Sequence, residues 1–176
     1  LACRGKVVLV GLGKSGLVCK KIASTLISTG TPAFFLHPVE GVHGELGMLT
    51  EGDLVIALSN SGHSEEILEI LPVIRGMNIP VIALTGKVNS ALARQSDLII
   101  DLSVEEEACP MGLVPTSSTA AAMAVGDALA VVLYTRRGFR AEDFALIHPG
   151  GSLGRRLLLR VKDLMRTGDA IPRVSM

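Results

Sequence analysis

A chain of 176 residues, nearly half of them apolar, has room for one ordinary domain with a large core, or for one domain plus a scrap of another. Its 17 Lys and Arg balance 17 Asp and Glu, there is no basic block, and it has one Tyr and no Trp. That leaves neither an electrostatic footprint nor a stacking platform for nucleic acid, and nothing to hold an anionic membrane surface. Cys3, Cys19 and Cys109 have no paired spacing, which argues against a disulfide frame or a zinc site and fits reduced thiols in a cytoplasmic protein. The chain starts at Leu1 without Met, so its natural N-terminus is expected to lie upstream.

In chain order, Lys6 to Gly11 has the pattern of a buried strand, and Gly11 to Gly16 follows as a turn. From Ser15 to Thr29 the apolar positions Val18, Ile22 and Leu26 keep a four-residue spacing, which predicts a helix ended by Gly30. Ala33 to His37 reads as a second strand closed by Pro38, and Val42 to Leu49 as one or two helical turns. Leu54 to Leu58 is a third strand, five apolar residues long, suited to burial on both faces. Ser64 to Met77 is the next helix, with Ser64 as N-cap, Glu65 and Glu66 in the first turn, and Pro72 expected to kink or thin it. Pro80 to Leu84, Asn89 to Gln95 and Leu98 to Leu102 read as strand, short helix and strand. Ser117 to Arg136 is a long Ala-rich helix stopped by Gly138; its apolar stretch Ala120 to Tyr134 is too short and too interrupted to span a bilayer. Ala141 to Ile147 and Leu153 to Met165 read as helices divided by His148-Pro-Gly-Gly151.

Strand and helix alternate five times, the signature of an α/β protein with a doubly wound five-stranded parallel sheet flanked by helices. The favoured strand order is 2-1-3-4-5, which makes strands 1 and 3 neighbours where the winding reverses. Ligands bind beyond the carboxyl ends of strands at such a switch point. Two loops would meet there, Gly11 to Gly16 and Ser59 to Ser64.

The second loop carries Ser59, Asn60, Ser61, Gly62 and Ser64 between a buried strand and a helix start. Unpaired N–H groups and the positive end of a helix dipole favour a phosphate there. A Ser-rich turn that only caps a helix would need one hydroxyl rather than three. Gly11-Leu-Gly-Lys-Ser-Gly16 matches the dinucleotide fingerprint, but the acidic residue expected after the second strand is missing: the chain reads Leu36-His37-Pro38. A nucleotide P-loop would need a glycine where Val8 stands. Lys14 then adds positive charge at the crevice, or else is a solvated loop lysine. Glu105-Glu-Glu107 follows strand five; Glu105 and Glu106 read as solvated, and one carboxylate at the sheet edge can serve as a general base. Cys109 reads as a small buried apolar residue. His148 lies on a turn and can exchange protons near neutrality. His37, His43, His63 and His148 have no metal-site spacing, and no metal is expected.

Gly13-Lys-Ser-Gly16, Ser28-Thr-Gly-Thr-Pro-Ala-Phe-Phe35, His43-Gly-Glu-Leu-Gly47, Ser59-Asn-Ser-Gly62, Glu107-Ala-Cys-Pro110, Pro115-Thr-Ser-Ser-Thr119 and Phe144-Ala-Leu-Ile-His-Pro-Gly-Gly151 together resemble the sugar isomerase (SIS) domain of D-arabinose 5-phosphate isomerases. Ser-Asn-Ser-Gly alone marks the wider SIS superfamily, which includes phosphosugar-binding regulators. The Glu-Ala-Cys-Pro and His-Pro-Gly-Gly motifs are more specific to the isomerases. The resemblance implies a flavodoxin-like SIS fold over residues 1–160, with 161–176 as a linker and the start of a truncated CBS domain. It implies interconversion of D-arabinose 5-phosphate and D-ribulose 5-phosphate, feeding synthesis of the Kdo sugar of lipopolysaccharide or capsule. It also implies a homotetramer with shared sites and functional roles for Lys14, Glu66, Glu107 and His148. Gly13, Ser15 and His43, within its motifs, join Ser59, Asn60, Ser61 and Ser64 as expected substrate-binding residues. His63 stands where relatives usually have Glu or another polar residue.

Aldose–ketose isomerisation moves a proton between adjacent carbons through an enediol and needs no redox cofactor. Phosphate held at Ser59, Ser61 and Ser64 would position the sugar. Lys14 would stabilise negative charge. Glu107 is expected as the C1–C2 base, Glu66 as a hydroxyl or proton relay, and His148 as the group serving the oxygens; spacing leaves that division open. Two rival classes remain. A phosphosugar-sensing module should lack the carboxylates and histidine, and a dinucleotide oxidoreductase should carry the missing acid.

Overall fold

Five strands form one all-parallel sheet in the expected order β2-β1-β3-β4-β5. They are β1 (Val7–Gly11), β2 (Ala33–Leu36), β3 (Leu54–Leu58), β4 (Val81–Thr85) and β5 (Leu98–Asp101), with helices α1 (Gly13–Ser28), α2 (Pro38–Val42), α3 (Glu65–Gly76), α4 (Ala91–Arg94), α5 (Ser117–Arg137) and α6 (Ala141–Ile147). The structure, a computed structural model, describes residues 3–151, 154 and 159–173. The chain divides into two compact units, Leu1–Gly138 and Phe139–Met176.

The apolar strand runs are buried on both faces, as helices covering a parallel sheet require. Leu9, Ile56 and Leu84 point to one face, where α1 and α5 supply Ile22, Leu26 and Ala122. Val8, Val55 and Ala83 point to the other, where α3 supplies Ile67, Ile70, Leu71 and Ile74. β5 is one of the two edge strands, and its Leu98 and Ile99 are exposed. At the amino edge of the sheet the buried Asp53 carboxylate accepts from the Lys6 N–H at 2.9 Å, the Thr50 N–H at 2.8 Å and the Lys6 ammonium at 2.6 Å. Burial pushes that carboxyl up, but the Lys6 side chain and the two backbone donors together hold it below its ordinary value.

Several boundaries differ from expectation for identifiable reasons. The helix expected from Ser15 starts at Gly13, so Lys14 and Ser15 lie in its first turn. Gly13 has φ +56°, which a side chain would resist, and a Cβ on Gly16 would stand 2.8 Å from the Gly11 carbonyl oxygen. These glycines therefore serve a sharp turn and close strand–helix packing. A helical turn at Pro38–Val42, with Pro at its first position, precedes the expected one, which is a 3₁₀ turn at Glu45–Met48. The helix expected over Asn89–Gln95 shortens to Ala91–Arg94, because the Ser90 hydroxyl caps it by accepting from the Ala93 N–H at 3.3 Å. The helix expected over Leu153–Met165 falls partly outside the described residues. Of its described part, Arg160 is extended, and its N–H donates to Asp163 at 2.9 Å to start a single turn, Val161–Leu164.

α5, expected over Ser117 to Arg136, spans Ser117–Arg137, 21 residues, and, against the expectation from its interrupted apolar stretch, is by length and composition alone long and apolar enough to cross a bilayer. Its buried positions Ser118, Ala122, Gly126 and Ala130 recur every fourth residue. This small-residue stripe lets α5 approach α1 closely: a Cβ on Gly126 would run into Ile22.

Candidate active site

The parallel sheet sends the N-termini of α1, α3 and α5 to one edge, at the carboxyl ends of β1, β3 and β5. A cleft of about 240 Å³ opens there. Its walls come from the β1–α1 turn (Leu12, Lys14, Ser15, Val18), the end of β3 (Leu58, Asn60), Leu102 after β5, and the start of α5 (Pro115, Ser118, Thr119, Ala122). Helix N-termini carry partial positive charge, and Lys14 adds a full one, making no ion pair with a described residue. The edge is therefore built for an anion.

The loop after β3 is tightly folded. Ser59 is buried, and its hydroxyl accepts from the Gly62 N–H at 3.1 Å and shares a hydrogen with the Ser64 hydroxyl at 2.9 Å. Ser64 holds the N-cap position of α3 as expected, but its hydroxyl faces Ser59 and not the helix N–H groups. Consequently the N–H groups of Ser61, Ser64, Glu65 and Glu66 donate to no acceptor among the described residues. Ser61 is exposed, and its hydroxyl accepts from the His63 N–H at 3.3 Å. Glu66 is half-buried in the first turn of α3.

Glu107 sits across the cleft wall as an acceptor for the start of α5. One oxygen takes the Thr116 N–H at 2.7 Å, the Thr116 hydroxyl at 3.1 Å and the Ser118 N–H at 3.2 Å; the other takes the Ser118 hydroxyl. The Ser118 hydroxyl first, then the Thr116 N–H, hold its carboxyl down at about 2.

Lys14, Ser15 and Asn60 thus share one cleft, and Glu107 reaches it through Ser118. Ser59, Ser61, Ser64 and Glu66 lie on the adjoining loop and helix start. Gly13 forms the turn without lining the cleft, and His43 is exposed at the end of α2. His148 belongs to the second unit, where its ring stacks on Phe144 at 3.8 Å between centroids and its Nδ1 meets the Phe144 carbonyl at 2.9 Å. Cys109 is half-buried, not enclosed as expected; the Val114 N–H first, with those of Met111, Leu113 and Gly112, lowers its thiol. Burial pushes the Cys19 thiol up to about 12, which makes it inert. Among the described residues no three His, Cys, Asp or Glu side chains converge as a metal site.

Sequence reasoning passed over Ser118 and Thr119 as site residues. The signal was present: hydroxyl residues at a helix start after a strand, the same pattern that marked Ser59 to Ser64.

Comparison with known proteins places the chain in a family. The SIS domain family matches residues 1–132. The chain is 58% identical over 173 residues to the arabinose 5-phosphate isomerase KdsD of Shigella flexneri, covering 98% of this chain and 53% of that protein. It is 56% identical over 176 residues to KdsD of Pseudomonas aeruginosa, covering 100% of this chain and 54% of that one. The chain thus spans about half the length of the curated relatives it matches. An Escherichia coli protein solved in complex with arabinose 5-phosphate superposes with a TM-score of 0.82 at 45% identity, over 84% of this chain and 79% of that one. With an all-parallel 2-1-3-4-5 sheet and a family match covering most of its length, the chain belongs to the SIS domain family.

Proposed function

We propose that the chain catalyses the interconversion of D-arabinose 5-phosphate and D-ribulose 5-phosphate. The observation that carries this reading is the convergence of Lys14, Asn60 and the Ser118–Glu107 pair on one cleft, in a chain 56% and 58% identical to two curated arabinose 5-phosphate isomerases. The phosphate is held by the unpaired N–H groups at the start of α3, with Ser61 beside them, and Ser59 and Ser64 brace that loop from within. Lys14 and Ser15 face the sugar. Gly13 lets the turn close, and His43 supplies a polar contact from the end of α2.

In the forward direction a base removes the C2 hydrogen while the C1 carbonyl oxygen gains a proton, giving the enediol. Return of a proton to C1, with loss of the O2 proton, gives the ketose. Lys14 stabilises the charge on the oxygens. A carbon base works best with a pKa near the working pH. Glu107, expected from its position to be that base, is already satisfied by donors that reduce its basicity. This favours Glu66 as the carbon base, with Glu107 ordering the start of α5 and the Ser118 side of the cleft. His148 exchanges the oxygen-bound protons.

The isomerase-like motifs in the sequence, Glu107-Ala-Cys-Pro110 and His148-Pro-Gly-Gly151, are the support for reading the chain as part of a cytoplasmic homotetramer with shared sites whose product enters synthesis of the Kdo sugar. Residues 161–176 are read as leading into a CBS repeat. The experiment is direct: the purified chain is given arabinose 5-phosphate and the ketose product is measured. Tight binding without turnover would favour a phosphosugar-sensing module instead.

A further inference from the structure

The loop that follows β3 is held from outside as well as by its own hydroxyls. Ser59 donates its N–H to the Leu84 carbonyl at 3.1 Å, Gly86 donates to the Asn60 carbonyl at 3.1 Å, and Leu92 donates to the Gly62 carbonyl at 3.0 Å. The Thr85 hydroxyl donates to the same Asn60 carbonyl at 3.4 Å and accepts from the Lys87 N–H at 3.2 Å. Thr85 is fully buried and Ser90 nearly so. Two glycines let the segments meet. Gly62 has φ +65°, and a Cβ there would run into the Ser90 side chain and stand 3.0 Å from the Thr85 hydroxyl. A Cβ on Gly86 would collide with the Asn60 carboxamide oxygen. Asn60 lines the cleft beside Lys14, whereas Thr85 and Gly86 do not reach it.

We infer that Thr85 and Gly86, at the end of β4, are positioning residues that fix Asn60 and the Ser59–Ser64 loop for the sugar phosphate. The inference rests on the proposed phosphosugar reading of that loop. Thr85 ties down the backbone carbonyl of Asn60, and Gly86 leaves the room its carboxamide occupies. A polar threonine in a buried strand end would otherwise cost stability, since an apolar residue of the same shape fits the core. Its hydroxyl is kept because it has a partner on each side of the turn.

The test measures KM and kcat for arabinose 5-phosphate, together with thermal midpoint, in Thr85→Val, Thr85→Ser, Gly86→Ala and Ser61→Ala. Loss of one positioning hydrogen bond should raise KM about tenfold in Thr85→Val, with kcat changed no more than about twofold. Thr85→Ser should restore KM. Gly86→Ala, which has no left-handed φ to strain, should raise KM to a similar degree by displacing Asn60, and it carries the test if Thr85→Val fails to fold. KM unchanged in Gly86→Ala and Thr85→Val while Ser61→Ala raises it would overturn this inference and leave the loop reading intact. KM unchanged in all of them, Ser61→Ala included, would remove the loop from the site and the inference with it. Equal losses in kcat and thermal midpoint, unrescued by Thr85→Ser, would show packing alone.

Discussion

The Ser118 hydroxyl and the Thr116 N–H clasp opposite oxygens of the Glu107 carboxylate, so the segment after β5 and the first turn of α5 are locked together at the rim of the cleft. The arrangement satisfies N–H groups that a helix start leaves open, and it does so with a full negative charge at the positive end of the dipole.

That clasp has a pH signature. The Glu107 carboxyl is held at about 2 against an ordinary 4.5. A depressed folded-state pKa adds stability above the unfolded value and loses it as pH falls through the folded one. The gap in thermal midpoint between the native chain and Glu107→Gln should therefore be full above about pH 4.5 and close toward about pH 2. Ser118→Ala, by raising the folded-state value, should shrink the full gap and bring the end of that closure to higher pH, while its onset stays near the ordinary carboxylate value. A gap that is flat from pH 7 to pH 3 would argue that the carboxylate is not clasped in solution.

Lys14 stands exposed in the first turn of α1, where its charge adds to the helix N-termini. Lys14→Met keeps much of the side-chain bulk and removes the charge. The expected result is a fall in kcat/KM of about a hundredfold or more, with the thermal midpoint little changed. An unaltered kcat/KM would return Lys14 to the role of a solvated lysine.

Glu66 and Glu107 can be told apart by solvent exchange. In D₂O, Glu66→Gln should lose deuterium incorporation at the migrating position, and its kcat should fall on the order of a hundredfold or more. Glu107→Gln should keep exchange at a reduced rate, because the clasp is weakened while the base remains. Loss of exchange in Glu107→Gln alone would restore Glu107 as the base.

Gly126 lies where α5 crosses Ile22 of α1. Gly126→Val inserts bulk into that crossing and should destabilise the chain by about 1–3 kcal/mol, read from denaturant midpoints. A neutral effect would mean that the two helices separate easily.

Much of this was legible in the residues. The unbroken apolar runs from Val7 to Val10 and Leu54 to Leu58 announced strands covered on both sides, and the alternation of strands with helical periodicity pointed to a doubly wound parallel sheet; the order 2-1-3-4-5 was the favoured one among those such a sheet allows, and it is the one found. The Ser59–Ser64 loop stood out because small hydroxyls between a strand and a helix have few other uses. What stayed hidden depends on side chains meeting across distant segments. Glu107 is nine residues from Thr116, and spacing marks it as a carboxylate at an edge, not as one already filled with donors. Ser64 looked like a cap because of its position, yet its hydroxyl found Ser59 across the turn. The hold of Thr85 on Asn60 joins residues 25 apart, and nothing local to either one announces it.

Whether the chain moves a carbon-bound proton on a phosphorylated aldose is read by proton NMR of arabinose 5-phosphate with the purified chain in D₂O. The expected result is ribulose 5-phosphate carrying solvent deuterium at C1, with deuterium appearing at C2 of the recovered aldose as the reaction reverses. Arabinose 5-phosphate that binds the chain but stays unconverted and free of deuterium would contradict the proposed activity.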